Sequence, residues 1–143
     1  MNYKKPILAA LLALTLTACV GGGALTRGET SGWLDAKAGA VSTNVGGKWT
    51  TSGGPGANWG EAVLVQDGSR FYGTLGTYNV DGAINREHIY LALIDGKDAR
   101  YTAILRRGAD GNYSGKVVEN GIVDHPAYPD VNFSLINLRR VGN

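Results

Sequence analysis

A single cysteine, Cys19, occurs in the 143 residues, so no internal disulfide can form. The chain has four prolines, two histidines and one methionine. Only 18% of residues are charged, and 14 basic side chains stand against 12 acidic ones. That balance lacks the strongly basic face of a nucleic-acid binder, so nucleic acid is not an expected partner. No apolar run is long enough to cross a bilayer core of ~30 Å as a helix. The signatures of several catalytic classes are also missing: there is no Gly-x-Ser-x-Gly, no His-Glu-x-x-His and no phosphate-binding glycine loop. An enzyme is therefore not expected, and neither is a cofactor or a metal. What the chain has in excess is glycine, 22 residues of it. Helix interiors resist glycine, which argues against a helix bundle. The length suits one domain.

Lys4 and Lys5, an apolar stretch from Ile7 to Leu16 and the small residues after it mark residues 1–18 as a cleavable export signal. Its ending, Leu16-Thr17-Ala18-Cys19, resembles the lipobox of bacterial lipoproteins. The resemblance implies that the signal is cut before Cys19, that Cys19 is diacylated on sulfur, and that its new amine is acylated by palmitate-type chains. Each buried acyl CH2 contributes ~0.8 kcal/mol, so several chains hold a protein on a membrane. Val20, not aspartate, follows the cysteine; by enteric-type sorting this implies the outer membrane. Loss of Lys4 and Lys5 with the signal leaves the mature chain neutral. Residues 19–45 read as the lipidated end and a spacer. Val20 to Glu29 carries four glycines. Trp33 and Leu34, with Ala36, Ala38 and Ala40, fit either a short helix or an edge strand.

The body, residues 46–143, is punctuated by turn dipeptides. Asp67-Gly68, Asp81-Gly82, Asp95-Gly96 and Asp110-Gly111 recur at near-even spacing, and Asn120-Gly121 follows. Such pairs suit tight hairpins, which need positive φ. Between them the residues alternate apolar and polar. Phe71, Gly73 and Leu75 oppose Tyr72, Thr74 and Tyr78. Ile89, Leu91 and Leu93 oppose His88, Tyr90 and Ala92. Tyr101, Ala103 and Leu105 oppose Arg100, Thr102 and Arg106. Tyr113, Gly115 and Val117 oppose Ser114 and Lys116. Val131, Phe133 and Leu135 oppose Asn132 and Ser134. With segments 46–51 and 59–66 added, this predicts an all-β chain of about seven or eight antiparallel strands, each buried on one side. Closure removes the two exposed edges of such a meander, so a small up-and-down barrel is expected. An open, strongly curled sheet is the alternative.

Gly47-Lys48-Trp49 opens the first strand, and Arg139-Arg140 ends the last. This resembles the lipocalins, where a basic residue from the end of the barrel packs over a first-strand tryptophan. The span is shorter than a lipocalin barrel, so the resemblance is to the broader calycin-like barrels, including small bacterial lipoproteins. It implies that Trp49 plugs one end of the barrel under Arg139 or Arg140.

Two places invite binding. Tyr72, Tyr78 and Tyr90 fall on outward faces, where a tyrosine row suits a protein partner. Residues 121–130 form a proline-stiffened connection bearing Asp124, His125 and Tyr128, and loops on rigid scaffolds often carry recognition. His88 is expected to be a solvent-facing or interface residue. The sequence thus predicts a lipid-anchored, non-enzymatic binding or protein-interaction module of the envelope, with an envelope or foreign protein as partner. One alternative is a calycin-type carrier of a small apolar ligand, with a cavity lined by Phe71, Ile89, Leu91, Tyr101 and Phe133. Another is a hydrolase inhibitor acting through the 121–130 loop.

Overall fold

A computed structural model describes residues 24–53, 59–126 and 133–142. The expected export signal, residues 1–18, and Cys19 lie outside the described residues. One helix, α1 (Arg27–Lys37), precedes eight strands: β1 (Gly47–Gly53), β2 (Glu61–Asp67), β3 (Arg70–Leu75), β4 (Tyr78–Asn85), β5 (His88–Asp95), β6 (Asp98–Arg107), β7 (Tyr113–Glu119) and β8 (Ser134–Arg140). Each strand pairs antiparallel with its sequence neighbour, and β1 pairs with β8 through Trp49↔Arg140, Thr51↔Leu138 and Gly53↔Ile136. The sheet is a closed up-and-down barrel of calycin-like type, with no free edge to recruit another chain.

The expected turns form at Asp67-Gly68 and Asp95-Gly96, where Gly68 and Gly96 adopt φ of 59° and 64°. Asp110-Gly111 lies in the longer 108–112 loop. Asp81-Gly82 does not turn at all: both residues sit inside β4. Gly82 is there because the Phe71 ring occupies its side-chain space; a Cβ would stand 2.1 Å from the ring. The chain instead reverses at residues 76–77 and 86–87, with Gly76 and Arg86 both at φ 58°. These two turns cut the long segments 69–80 and 83–94 into three strands and bring the total to eight. Asn120 adopts φ 53° but opens the long β7–β8 connection, not a tight hairpin.

Inside the barrel, Trp49, Leu64, Phe71, Leu75, Val80, Ile84, Ile89, Leu91, Leu93, Leu105, Tyr113, Val117, Ile136 and Leu138 form one buried cluster. The expected faces of β3, β5, β6 and β7 are those observed. In β8 the face is the opposite one: Ile136 and Leu138 point inward, while Phe133 and Leu135 are exposed. The register Gly115↔Ile136 and Tyr113↔Leu138 sets this, because the closing strand follows the inward residues of β7.

The segment expected to continue the spacer is already part of the domain. Ala99 N–H donates to the Leu25 carbonyl (2.7 Å) and Arg27 N–H to that of Lys97 (3.0 Å). Thr26 and Glu29 then form a capping box: Thr26 Oγ1 accepts from Glu29 N–H, and Glu29 Oε2 accepts from Thr26 N–H. Helix α1 lies on the outer wall of β4, β5 and β6, where Ala83, Ala92 and Ala99 let Leu34 approach and bury with Ile94. An ion pair pins its first turn. Arg27 Nε and Nη2 each donate at 2.9 Å to the two oxygens of Asp81, whose carboxylate is almost wholly buried. Asp81 raises the Arg27 pKa above its ordinary value by hydrogen bonding and by charge. At the far end Asn85 Nδ2 donates to the Lys37 carbonyl and Gly39 N–H to that of Ile84.

Candidate functional site

One end of the barrel is closed as the tryptophan–arginine pattern implies. Trp49 is buried, its Nε1–H donates to the Val45 carbonyl at 2.9 Å, and Tyr113 meets it edge-on with centroids 5.6 Å apart. The cation over the ring is Arg140, 4.2 Å from its centroid, and Arg140 also donates to the carbonyls of Gly46 and Asn44. Arg139 has the other orientation. It is exposed, its carbonyl accepts from Thr50 Oγ1, and its charge acts on Asp110. Burial pushes the Tyr113 phenol above its ordinary pKa, against the pull of nearby Arg107 and Arg140.

The three tyrosines do not form a row. Tyr72 is 42% exposed on the outer wall, beside Val65 and near Val63. Tyr78 faces inward, because the turn at residues 76–77 resets the alternation and places it opposite Leu75. It packs against the core at the other end of the barrel, edge-on to Tyr101 (5.8 Å), which in turn contacts Trp59 (5.0 Å). Burial first, then the charge of Glu119, pushes the Tyr101 phenol above its usual pKa. Tyr90 faces outward but lies under α1, with Trp33 edge-on at 6.0 Å and Lys37 Nζ 5.6 Å from its centroid. His88 is half-buried beside it.

The start of the 121–130 connection is braced against the wall. Thr102 Oγ1 donates to the Gly121 carbonyl (2.6 Å) and accepts from Val123 N–H (2.9 Å). Asp124 accepts from Trp33 Nε1 (2.9 Å) and pairs with Lys37. Asp124 thus ties the loop to α1. His125 is exposed, with its N–H on the Ile122 carbonyl. Tyr128 lies outside the described residues. Among the described residues no cluster of three or more histidine, cysteine or carboxylate side chains is arranged to hold a metal.

No protein-family model matches this chain, and no curated protein is similar to it. Its chemistry rests on its own geometry.

Several open clefts lie on the outside, two of them beside one another. One of about 440 Å3 is lined by Ser42, Arg86, Glu87, His88 and Arg107. Another, of about 500 Å3, adjoins it across Glu87, Arg106, Arg107 and Ala109. Both are at the Trp49 end. The sequence left the Trp33 segment open between a short helix and an edge strand, and the structure makes it helix α1; its ion pair to Asp81 and this arginine-rich rim were not foreseen. The Thr26-x-x-Glu29 spacing was the available signal for the helix. The rim has no sequence signal, because its arginines come from the β4–β5 turn and the end of β6, which are distant in sequence.

Proposed function

We propose that the protein is a lipoprotein of the cell envelope, held on the outer membrane by an acylated Cys19, whose barrel binds a protein partner through its outer surface. The observation that carries this reading is the packed core. Among the described residues, seventeen buried side chains form one cluster. A carrier needs an enclosed apolar pocket of some 300 Å3 or more. Of the side chains a ligand cavity was expected to use, Phe71 sits against Gly82, and Phe133 stands outside with Lys116 Nζ 4.4 Å from its ring centroid. Recognition is then left to the exposed walls and rims.

The anchor has a direct test. With labelled palmitate supplied to the producing cells, the wild-type chain is expected to take up label and to sediment with membranes. Cys19→Ala is expected to lose the label and more than nine-tenths of the membrane-bound fraction, since one cysteine holds all the acyl chains. Label or membrane retention in that variant refutes the anchor. The interaction is tested by a photoreactive residue placed at exposed positions on the barrel in cells; protein adducts are expected from at least one position, and none from any position contradicts the reading.

A further inference from the structure

The two ends of the barrel differ in charge. At the Trp49 end, the turns and strand ends carry Lys48, Arg70, Arg86, Arg106, Arg107, Arg139 and Arg140 against Asp67, Glu87 and Asp110, and the last turn of α1 adds Asp35 and Lys37. At the other end Lys97 and Arg100 face Glu61, Asp95, Asp98 and Glu119. Three of the six arginines have structural work: Arg70 pairs with Asp35, Arg106 with Glu87, and Arg140 covers Trp49. Arg86, Arg107 and Arg139 form no ion pair among the described residues. Arg86 is also held in a left-handed turn conformation, φ 58°, at the very tip of the β4–β5 hairpin. A bulky residue there is strained where glycine or asparagine is not.

The direction of the chain decides which way this end points. Leu25 and Arg27 hydrogen-bond to Ala99 and Lys97, at the acidic end. Six residue-to-residue steps separate Cys19 from Leu25, at most about 20 Å of extended chain. An acylated Cys19 therefore keeps the acidic end close to the bilayer. The arginine rim lies a strand length away, about 25 Å for the eight residues of β4.

We infer that the rim of Arg86, Arg107 and Arg139, with the two open clefts lined by Arg107 and a third, of about 660 Å3, that Arg139 lines beside Asp110, is the docking surface for an acidic segment of a protein partner, presented away from the membrane. The inference rests on the proposed acyl anchor and interaction role. Bulk charge does not drive it, because the mature chain is neutral. The attraction comes from segregation of charge, which steers an acidic partner to one end and away from the other. Arginine suits the task, since its planar fork pairs with carboxylates in two-bond geometry.

The test has two arms. In the first, the full chain in neutral detergent micelles is titrated with poly-L-glutamate of about 20 residues, with poly-L-lysine as control. Poly-L-glutamate is expected to bind at 50 mM NaCl and to be released at 1 M, where charges are screened beyond ~3 Å. The R86Q/R107Q/R139Q variant is expected to bind about tenfold more weakly, the effect of three rim charges. The matching lysine variant keeps the charge and is expected to retain most of the binding. No binding of poly-L-glutamate, or equal binding by the glutamine variant, overturns the inference.

In the second arm, a photoreactive residue is placed in cells at Ala109 on the rim, at Val65 on the β2 wall or at Thr77 at the acidic end. An adduct from Ala109 that disappears in the glutamine background is expected. Adducts from Val65 or Thr77 alone refute the rim but leave the interaction role standing. Adducts from none of the three overturn both.

Discussion

Trp49→Ala is expected to lower the unfolding free energy by about 3–5 kcal/mol, the cost of truncating a large buried aromatic. A domain of this size has about 5–15 kcal/mol in total, so the variant keeps a fraction of its stability and melts about 10–20 °C lower. The reason is the number of elements that meet on one ring. Trp49 belongs to β1, its N–H reaches Val45 ahead of that strand, Tyr113 of β7 packs edge-on, and Arg140 of β8 stacks over it. Its removal opens a cavity at the seam where the first and last strands close the barrel. Arg140→Ala is expected to cost only about 1 kcal/mol, because that side chain is exposed and a partly exposed cation–π contact is worth about that much. Urea denaturation measures both. A Trp49→Ala loss below 1 kcal/mol, or an Arg140→Ala loss as large as that of Trp49→Ala, contradicts this account of closure.

Gly115→Val is expected to prevent folding of the barrel. A Cβ at this inward position stands 1.9 Å from the Ile104 carbonyl oxygen and 2.7 Å from Leu105 Cα. Both are backbone atoms of β6, and they cannot yield without breaking the Leu105↔Gly115 pairing. Overpacking of side chains costs about 1–3 kcal/mol, and a clash with ladder backbone costs more. Gly73 on β3 meets the same limit against the Val63 carbonyl oxygen, at 1.9 Å. Gly32→Ala makes the control. Nothing lies within 4 Å of a Cβ there, and in a helix the exchange is expected to stabilise by about 0.5–1 kcal/mol. Far-UV circular dichroism and proteolysis of purified Gly115→Val are expected to show an unfolded chain. A folded, protease-resistant Gly115→Val refutes the close-packed seam.

The barrel was readable because period-two alternation and Asp-Gly turns are local signals. The errors came where a local signal had two uses. Asp81-Gly82 has the same two residues as the true turns, yet Gly82 serves the Phe71 ring and Asp81 serves Arg27, both distant in sequence. The turn at residues 86–87 carries no glycine; Arg86 supplies the positive φ, so nothing marked it. The apolar run ending β8 offered Phe133 and Leu135 or Ile136 and Leu138, and only the closing register with β7 chooses. The expected tyrosine row dispersed for two other reasons: the turn at residues 76–77 resets the alternation and puts Tyr78 inside, and α1 covers the outward-facing Tyr90, which leaves Tyr72 exposed. The alanines that seat α1 looked like ordinary outward positions until a helix was placed over them. The proposed lipobox is different in kind. Such a motif is linear and read by processing enzymes, so it needs no fold to be recognised.

The central claim joins an acylated Cys19 to a barrel with no resident ligand, and one spectrum tests both. The full chain, extracted from the membranes of the producing cell in mild detergent, is examined by native mass spectrometry. The account expects a chain beginning at Cys19 and carrying its acyl groups, with no further mass bound in stoichiometric amount. A chain that is unprocessed or free of acyl groups contradicts the anchor, and an additional bound apolar molecule at one per chain contradicts the packed core.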